Sequence, residues 1–123
     1  MTINTPLVTT AETVEANAVP GADQTDIQVL IGNERAPHFA MRRFTMQPGG
    51  GMPNHTNTVE HEQYVLAGSA HIGIGDEEFD VKAGDVVFIP AGTPHWYTAG
   101  DEGFQFLCLV PNQEDKVEIV GSC

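Results

Sequence analysis

Residues 55–63 read HTNTVEHEQ, and within them His55, Asn57 and His61 each carry a lone pair that a metal ion can accept. Farther along, the run PAGTPH adds His95. Zinc, iron, manganese, nickel and copper draw on imidazole, thiolate and carboxylate groups, three or four of which must converge at about 2.0 to 2.3 Å. An ion held with a position to spare can polarise a carbonyl, activate water or bind O₂, whereas a closed site is structural. Against this stands the plainer reading of polar side chains scattered over a small β-protein. A single histidine near a Pro-Gly turn is more often a surface or structural residue, and the same holds for His38 and His71.

The backbone must supply the convergence. Residues two apart on an extended strand share a face, so His55 and Asn57 can point together. His61 and Glu62 must point opposite ways if EQYVLAG is a regular strand, and Gln63 shares the parity of His61. His95 follows Pro90, Gly92 and Pro94, whose restricted or permissive backbone angles hold a short turn in one shape.

From Asp26 onward, nine short runs, from Ile27–Ile31 to Val117–Val120, are rich in β-branched, aromatic or alternating apolar residues. Clusters such as PGGG, KAGD and AGDEG separate them and permit tight reversals. No dozen residues show convincing helical periodicity, although Thr9 to Val19 could form a short helix. The expectation is an all-β fold, an antiparallel jelly-roll β-barrel or sandwich. Residues 1–25, poor in large hydrophobes, read as an N-terminal arm, and residues 26–123 as the barrel domain.

The chain of 123 residues, 41% hydrophobic, suits one domain with a packed core. Five Lys and Arg against seventeen Asp and Glu give a formal charge of −12, which disfavours nucleic acid and anionic lipid as partners. No apolar run approaches the ~20 residues that span a bilayer, and the N-terminus lacks the signal-peptide pattern, so the expected localisation is cytoplasmic. Two cysteines in such a compartment are expected to be free, with Cys108 a small buried hydrophobe in FQFLCLV and Cys123 at the end of the chain.

Two longer patterns carry a family resemblance. G49-x5-H55-x-N57-x3-H61-x6-G68 resembles the first motif of the cupin superfamily, usually G-x5-H-x-H-x3-E-x6-G, and G84-x5-P90-x-G92-x2-H95 resembles its second, with Ala99 in place of the final Asn. The spacer between Gly68 and Gly84 is similar to that of small single-domain bacterial cupins, and the resemblance covers about Asp26 to Pro111. It implies a β-barrel with one divalent metal ion, Fe, Mn, Zn or Ni, at its centre. His55, His61 and His95 fall on ligand positions, which favours His61 over Glu62 as the inward residue. Asn57 stands where the second His is usual. An amide oxygen is a poorer ligand, so the site is either a three-His centre with open positions or a weakened one. The resemblance also implies a homodimer that exchanges N-terminal strands.

Around the cavity, Gln63, Met46, Phe88, Tyr97, Phe104 and Phe106 are candidate lining residues, with Met52 beside them; as aromatics and methionines their default place is the core. Trp96 is expected at the rim or at a subunit contact. Of Arg42 and Arg43, one facing inward would anchor an anionic substrate, but the expectation is that both are solvated or paired with carboxylates. No phosphate loop, nucleophile elbow or Cys-His pair competes. These features suggest a metal-dependent enzyme acting on a small molecule, dioxygenase-like by preference, with isomerase or lyase chemistry also compatible. The rival is a binding or sensing barrel without turnover.

Overall fold

Alternation with a period of two sends successive side chains to opposite faces of a strand, and in this chain it holds through most of the sequence. The computed structural model describes residues 5–120. Its strands are β1 (Asn17–Ala18), β2 (Asp23–Ile31), β3 (Phe39–Thr56), β4 (His61–Ile74), β5 (Glu77–Lys82), β6 (Val86–Ile89), β7 (His95–Pro111) and β8 (Glu118–Ile119). All pairings are antiparallel, in the order β1-β2-β3-β7-β4-β5, with β6 added beside β4 and β8 beside β3. This is the all-β jelly roll expected from the sequence.

Three long strands, β3, β4 and β7, bend the sheet around itself. Their pairing slips between Met46 and Gly51, between Met52 and His55, and between Val65 and Ala70, where extra residues turn the strand direction. Between these bends lies the core. Phe44 stacks on Phe106 and Phe106 on Tyr97, with Met46, Val65, Ile72 and Phe104 buried around them. On the outer face, Phe39, Tyr64, Val86, Phe88 and Leu109 remain exposed.

Where a short helix was expected over Thr9 to Val19, the chain makes one 3₁₀ turn, Ala11–Thr13, and then runs extended into β1. The reason is a side chain. Gln28 donates to the carbonyls of Ala11 and Val14 at 2.8 and 2.9 Å, giving those acceptors a partner that a helix would otherwise have to provide. Arg43 adds an ion pair to Glu12 at 3.1 Å. These contacts, and the β1–β2 pairing, all lie within one chain. Cys108 is free and fully buried, whereas Cys123 lies outside the described residues. Among the described residues, no helix is long and apolar enough to cross a membrane.

Gly68 is a position where the fold tolerates no side chain. Its φ is +74°, and a Cβ there would press into the carbonyl oxygen of Gly103 on β7. Gly49 has a similar φ of +77° with open space around it. Gly68→Ala is expected to lower the unfolding free energy by on the order of 2 kcal/mol or more, and Gly49→Ala by about 1 kcal/mol. Urea unfolding of the two variants checks the difference, and equal losses would show that the close approach does not constrain β4 against β7.

Candidate metal centre

The burial of β4 alternates strictly at its start. His61, Gln63 and Val65 face inward, and Glu62, Tyr64 and Leu66 face outward, so the inward residue of the first pair is His61. His95 opens β7, where it is the direct partner of His55 near the end of β3. The ring centres of His55 and His95 are 4.1 Å apart, and those of His61 and His95 are 5.7 Å apart. These three histidines and Asn57 are all buried. They border one cavity of about 180 Å³, with Gln63, Tyr97 and Arg42 also on its wall. Val19, Ile27, Phe44, Met52 and Val117 make the rest of that wall apolar.

Hydrogen bonding fixes which nitrogen of each ring carries a lone pair. His55 Nδ1 lies 2.8 Å from the carbonyl oxygen of Pro53, and His95 Nδ1 lies 2.9 Å from that of Thr93. A carbonyl only accepts, so both Nδ1 atoms donate and both Nε2 atoms are left as acceptors. Bonds of this kind orient imidazoles for metal ligation. His61 Nδ1 faces the Cys108 sulfur at 3.5 Å, and the tautomer that donates to sulfur likewise leaves the lone pair on Nε2.

Burial also keeps the His61 and His95 rings neutral. It pushes His61 down to about 3, with further lowering by the positive charge of Arg42. It pushes His95 down to about 4, against the opposing pull of its bond to Thr93. Neutral imidazole is the form that binds metals. The Nε2 atoms of His61 and His95, and Oδ1 of Asn57, are buried without any hydrogen-bond partner. Unpartnered buried polar atoms are costly and rare, and three acceptors facing one small cavity call for an electropositive partner.

Asn57 is turned by a residue that the motif does not contain. Its Nδ2 donates to Asp115 Oδ2 at 3.0 Å, which leaves Oδ1 as the free acceptor. Asp115 Oδ1 in turn accepts from the backbone N–H of Thr58 at 3.0 Å. Asp115 and Val117 reach the cavity wall from the segment after β7, and Val19 and Pro20 reach it from the arm. Nothing in the short motifs pointed to these residues, because only the closed fold brings the chain ends beside β3. The donors do not close on a single point: among the described residues, no group of three or more His, Cys, Asp or Glu has the geometry of a formed metal site.

Of the remaining expected lining residues, Gln63 and Tyr97 are in place, joined by a bond from Gln63 Nε2 to the Tyr97 hydroxyl at 2.7 Å. Phe88 is not. It pairs with the outward Glu62 across β6 and β4, shares its parity, and is 57% exposed on the outer surface. Met46, Phe104 and Phe106 are buried in the core and do not border the cavity; Phe106 lies behind its wall, stacked on Phe44 and Tyr97, with Phe104 packed against it. Trp96 faces outward as its parity requires, and it covers Gly73, where a Cβ would strike the indole. Arg43 pairs with Glu12 as expected, but Arg42 turns to the cavity. His71 is an exposed surface residue between Asp80 and Glu78, and His38 lies away from the site.

Residues 42–110 match the Cupin domain family. The chain is similar to the polyketide cyclase RemF from Streptomyces resistomycificus, with a TM-score of 0.88 and 31% identity over 97% of this chain and 88% of that one. A cupin-2 domain from Rhodospirillum rubrum superposes with a TM-score of 0.82 at 24% identity, covering 99% of this chain and 84% of the other. An uncharacterized protein of Methanocaldococcus jannaschii is 33% identical over 66 residues, 51% of this chain and 53% of that protein. The chain therefore spans about half the length of this curated relative.

The neutral histidines make stability depend on acidity. The unfolded chain binds protons at His61 and His95 near 6.5, whereas the folded chain refuses them until about pH 3 and about pH 4. More protons on the unfolded state mean that stability rises with pH, so it is lost as pH falls from about 6.5 towards 4. The expected slope is up to about 1.4 kcal/mol per pH unit for each ring. Urea unfolding at pH 7, 6 and 5 in EDTA measures it, and His61→Gln should remove about half of the slope. A slope unaffected by that change would show that His61 protonates freely in the folded protein.

Proposed function

We propose that this chain, which belongs to the cupin family, is a metal-dependent enzyme acting on a small organic carbonyl compound, with His55, His61, His95 and the amide oxygen of Asn57 as its metal donors. The observation that carries this reading is the set of buried, unpartnered acceptors, His61 Nε2, His95 Nε2 and Asn57 Oδ1, on the wall of one small cavity. A divalent ion there would supply Lewis acidity to a carbonyl oxygen.

The chain's own groups provide the rest. The Tyr97 hydroxyl accepts from Gln63 and so keeps its own proton to give, and burial holds it well above the ordinary phenol range. It serves as a hydrogen-bond donor to the bound molecule. Asp115 is the only carboxylate among the described residues lining the cavity, and it is placed to accept a proton as an enol or enolate forms. The apolar wall orients the carbon skeleton and excludes water. Aldol-type ring closure, keto–enol isomerisation and elimination beside a carbonyl share loss of an α-proton as a starting step. The extent of the likeness to a polyketide cyclase favours this class.

A second reading keeps the same donors for an oxygen-using Fe or Mn enzyme, favoured by a donor set of three imidazoles without a carboxylate. Hydrogen–deuterium exchange at the α-carbon of acetylacetone, set beside O₂ uptake by the Fe(II)-loaded protein, separates the two. Exchange without O₂ uptake supports the carbonyl reading, and O₂ uptake without exchange supports the second.

A homodimer formed through the outer apolar band of Tyr64, Val86, Phe88 and Leu109 is part of the proposal. Light scattering should give twice the chain mass, and Phe88→Glu should reduce it to one. An unchanged mass would place the contact elsewhere.

Metal content is the first test of the function. Elemental analysis is expected to find close to one Fe, Mn, Ni or Zn per chain. Asp115→Ala, which frees the Asn57 amide, should weaken the affinity by roughly 10- to 100-fold, and His95→Ala should weaken it further. A well-folded protein that takes up none of these metals from buffers would end the metal reading.

A further inference from the structure

Arg42 is the cation that the charge balance of this chain does not explain. The chain carries seventeen acidic side chains against five basic ones, yet Arg42 forms an ion pair with none of them. Its neighbour in sequence, Arg43, is held by Glu12 at 3.1 Å and by Gln28 at 2.9 Å. Arg42 has weaker company. Its Nη2 meets the Cys108 sulfur at 3.3 Å, and its guanidinium carbon lies 5.1 Å from the centre of the Phe44 ring. Thiol sulfur is a poor acceptor, so this bond does little to offset the charge. Its Nε is buried with no partner at all.

Asp115 shares the cavity wall with Arg42, but among the described residues no carboxylate comes within ion-pair distance of that arginine, and a guanidinium so placed is expensive to maintain because its lost hydration is not replaced. Arg42 sits on the wall of the cavity that holds His55, His61 and His95, and on the wall of the adjoining groove between β3 and the segment after β7. The planar fork of arginine matches two oxygens of a carboxylate or of a chelating enolate. Phe44, with Phe106 stacked on its ring and the guanidinium over it, adds apolar wall to the cavity beside Arg42. A volume of about 180 Å³ is small, and suits a molecule of about one ring.

We propose that Arg42 is the anion-binding and specificity-determining residue of this cavity, so that the substrate is a small organic anion seated with its carboxylate or enolate oxygens on Arg42 and its carbon skeleton against the apolar wall of Ile27, Met52 and Val117. This rests on the proposal that the cavity is an active site, and it narrows the substrate class. The acidic surface makes the assignment more pointed. At long range the chain repels anions, so whatever selects a negative group must act inside the cavity, where the charge of Arg42 is least screened.

The test compares benzoate with benzamide, which share a shape and differ in charge. Both are titrated into the ¹⁵N-labelled full chain, as purified and again after EDTA. Shifts confined to the cavity residues are expected, with benzoate binding at least about tenfold more tightly than benzamide in both states. In Arg42→Gln, checked for folding by the dispersion of the same spectrum, the preference should vanish. Equal binding of the two compounds, a preference lost on adding EDTA, or a preference that survives in folded Arg42→Gln would overturn the proposal. The wild-type comparison decides alone if the variant does not fold. A protein that takes up no metal but still selects benzoate through Arg42 would retire the metal reading and leave this one standing.

Discussion

Two hydrogen bonds that span only two residues each, from His55 to the Pro53 carbonyl and from His95 to the Thr93 carbonyl, determine what this protein can do with its cavity. They set the tautomer, and in that tautomer each Nε2 atom presents a lone pair instead of a proton. Because each bond is local, neither depends on the detail of the barrel. The barrel contributes the other half by pairing His55 with His95 and by removing water from around the rings. Desolvation keeps the imidazoles of His61 and His95 neutral, which agrees with the role that the local bonds prepare.

How far the sequence could be read follows from the same division between local and distant causes. The strands and the parity of His61, Gln63 and Tyr97 were legible because alternation is a local rule. Phe88 was misplaced although its strand was found. Its side is set by pairing opposite Glu62, a register that no short run announces. Met46, Phe104 and Phe106 were assigned to the right face, but the bends in β3 and β7 decide how far along the barrel a residue falls. Asp115, Val19 and Pro20 could not be found from spacing at all, since they reach the cavity from the ends of the chain. The short helix over Thr9 to Val19 failed because a glutamine from β2 claimed its carbonyls.

The two adjacent arginines show how one step along a strand separates structural work from chemistry. Arg43 secures the arm through Glu12 and Gln28. Arg42, on the opposite face, meets a thiol, an aromatic ring and a cavity. Exchanging their environments would need only a one-residue slip of β3, and that slip is opposed by the long pairing of β3 with β7 on one side and β2 on the other.

The closing stretch of the chain has a double duty. Asp115 grips Asn57 and Thr58, Lys116 N–H bonds the Thr58 hydroxyl at 2.9 Å, and β8 then pairs beside His55 over only two residues. So brief a ladder is held chiefly by those side-chain bonds. The same few contacts therefore fasten the tail and aim the amide at position 57, so a change that loosens one loosens the other.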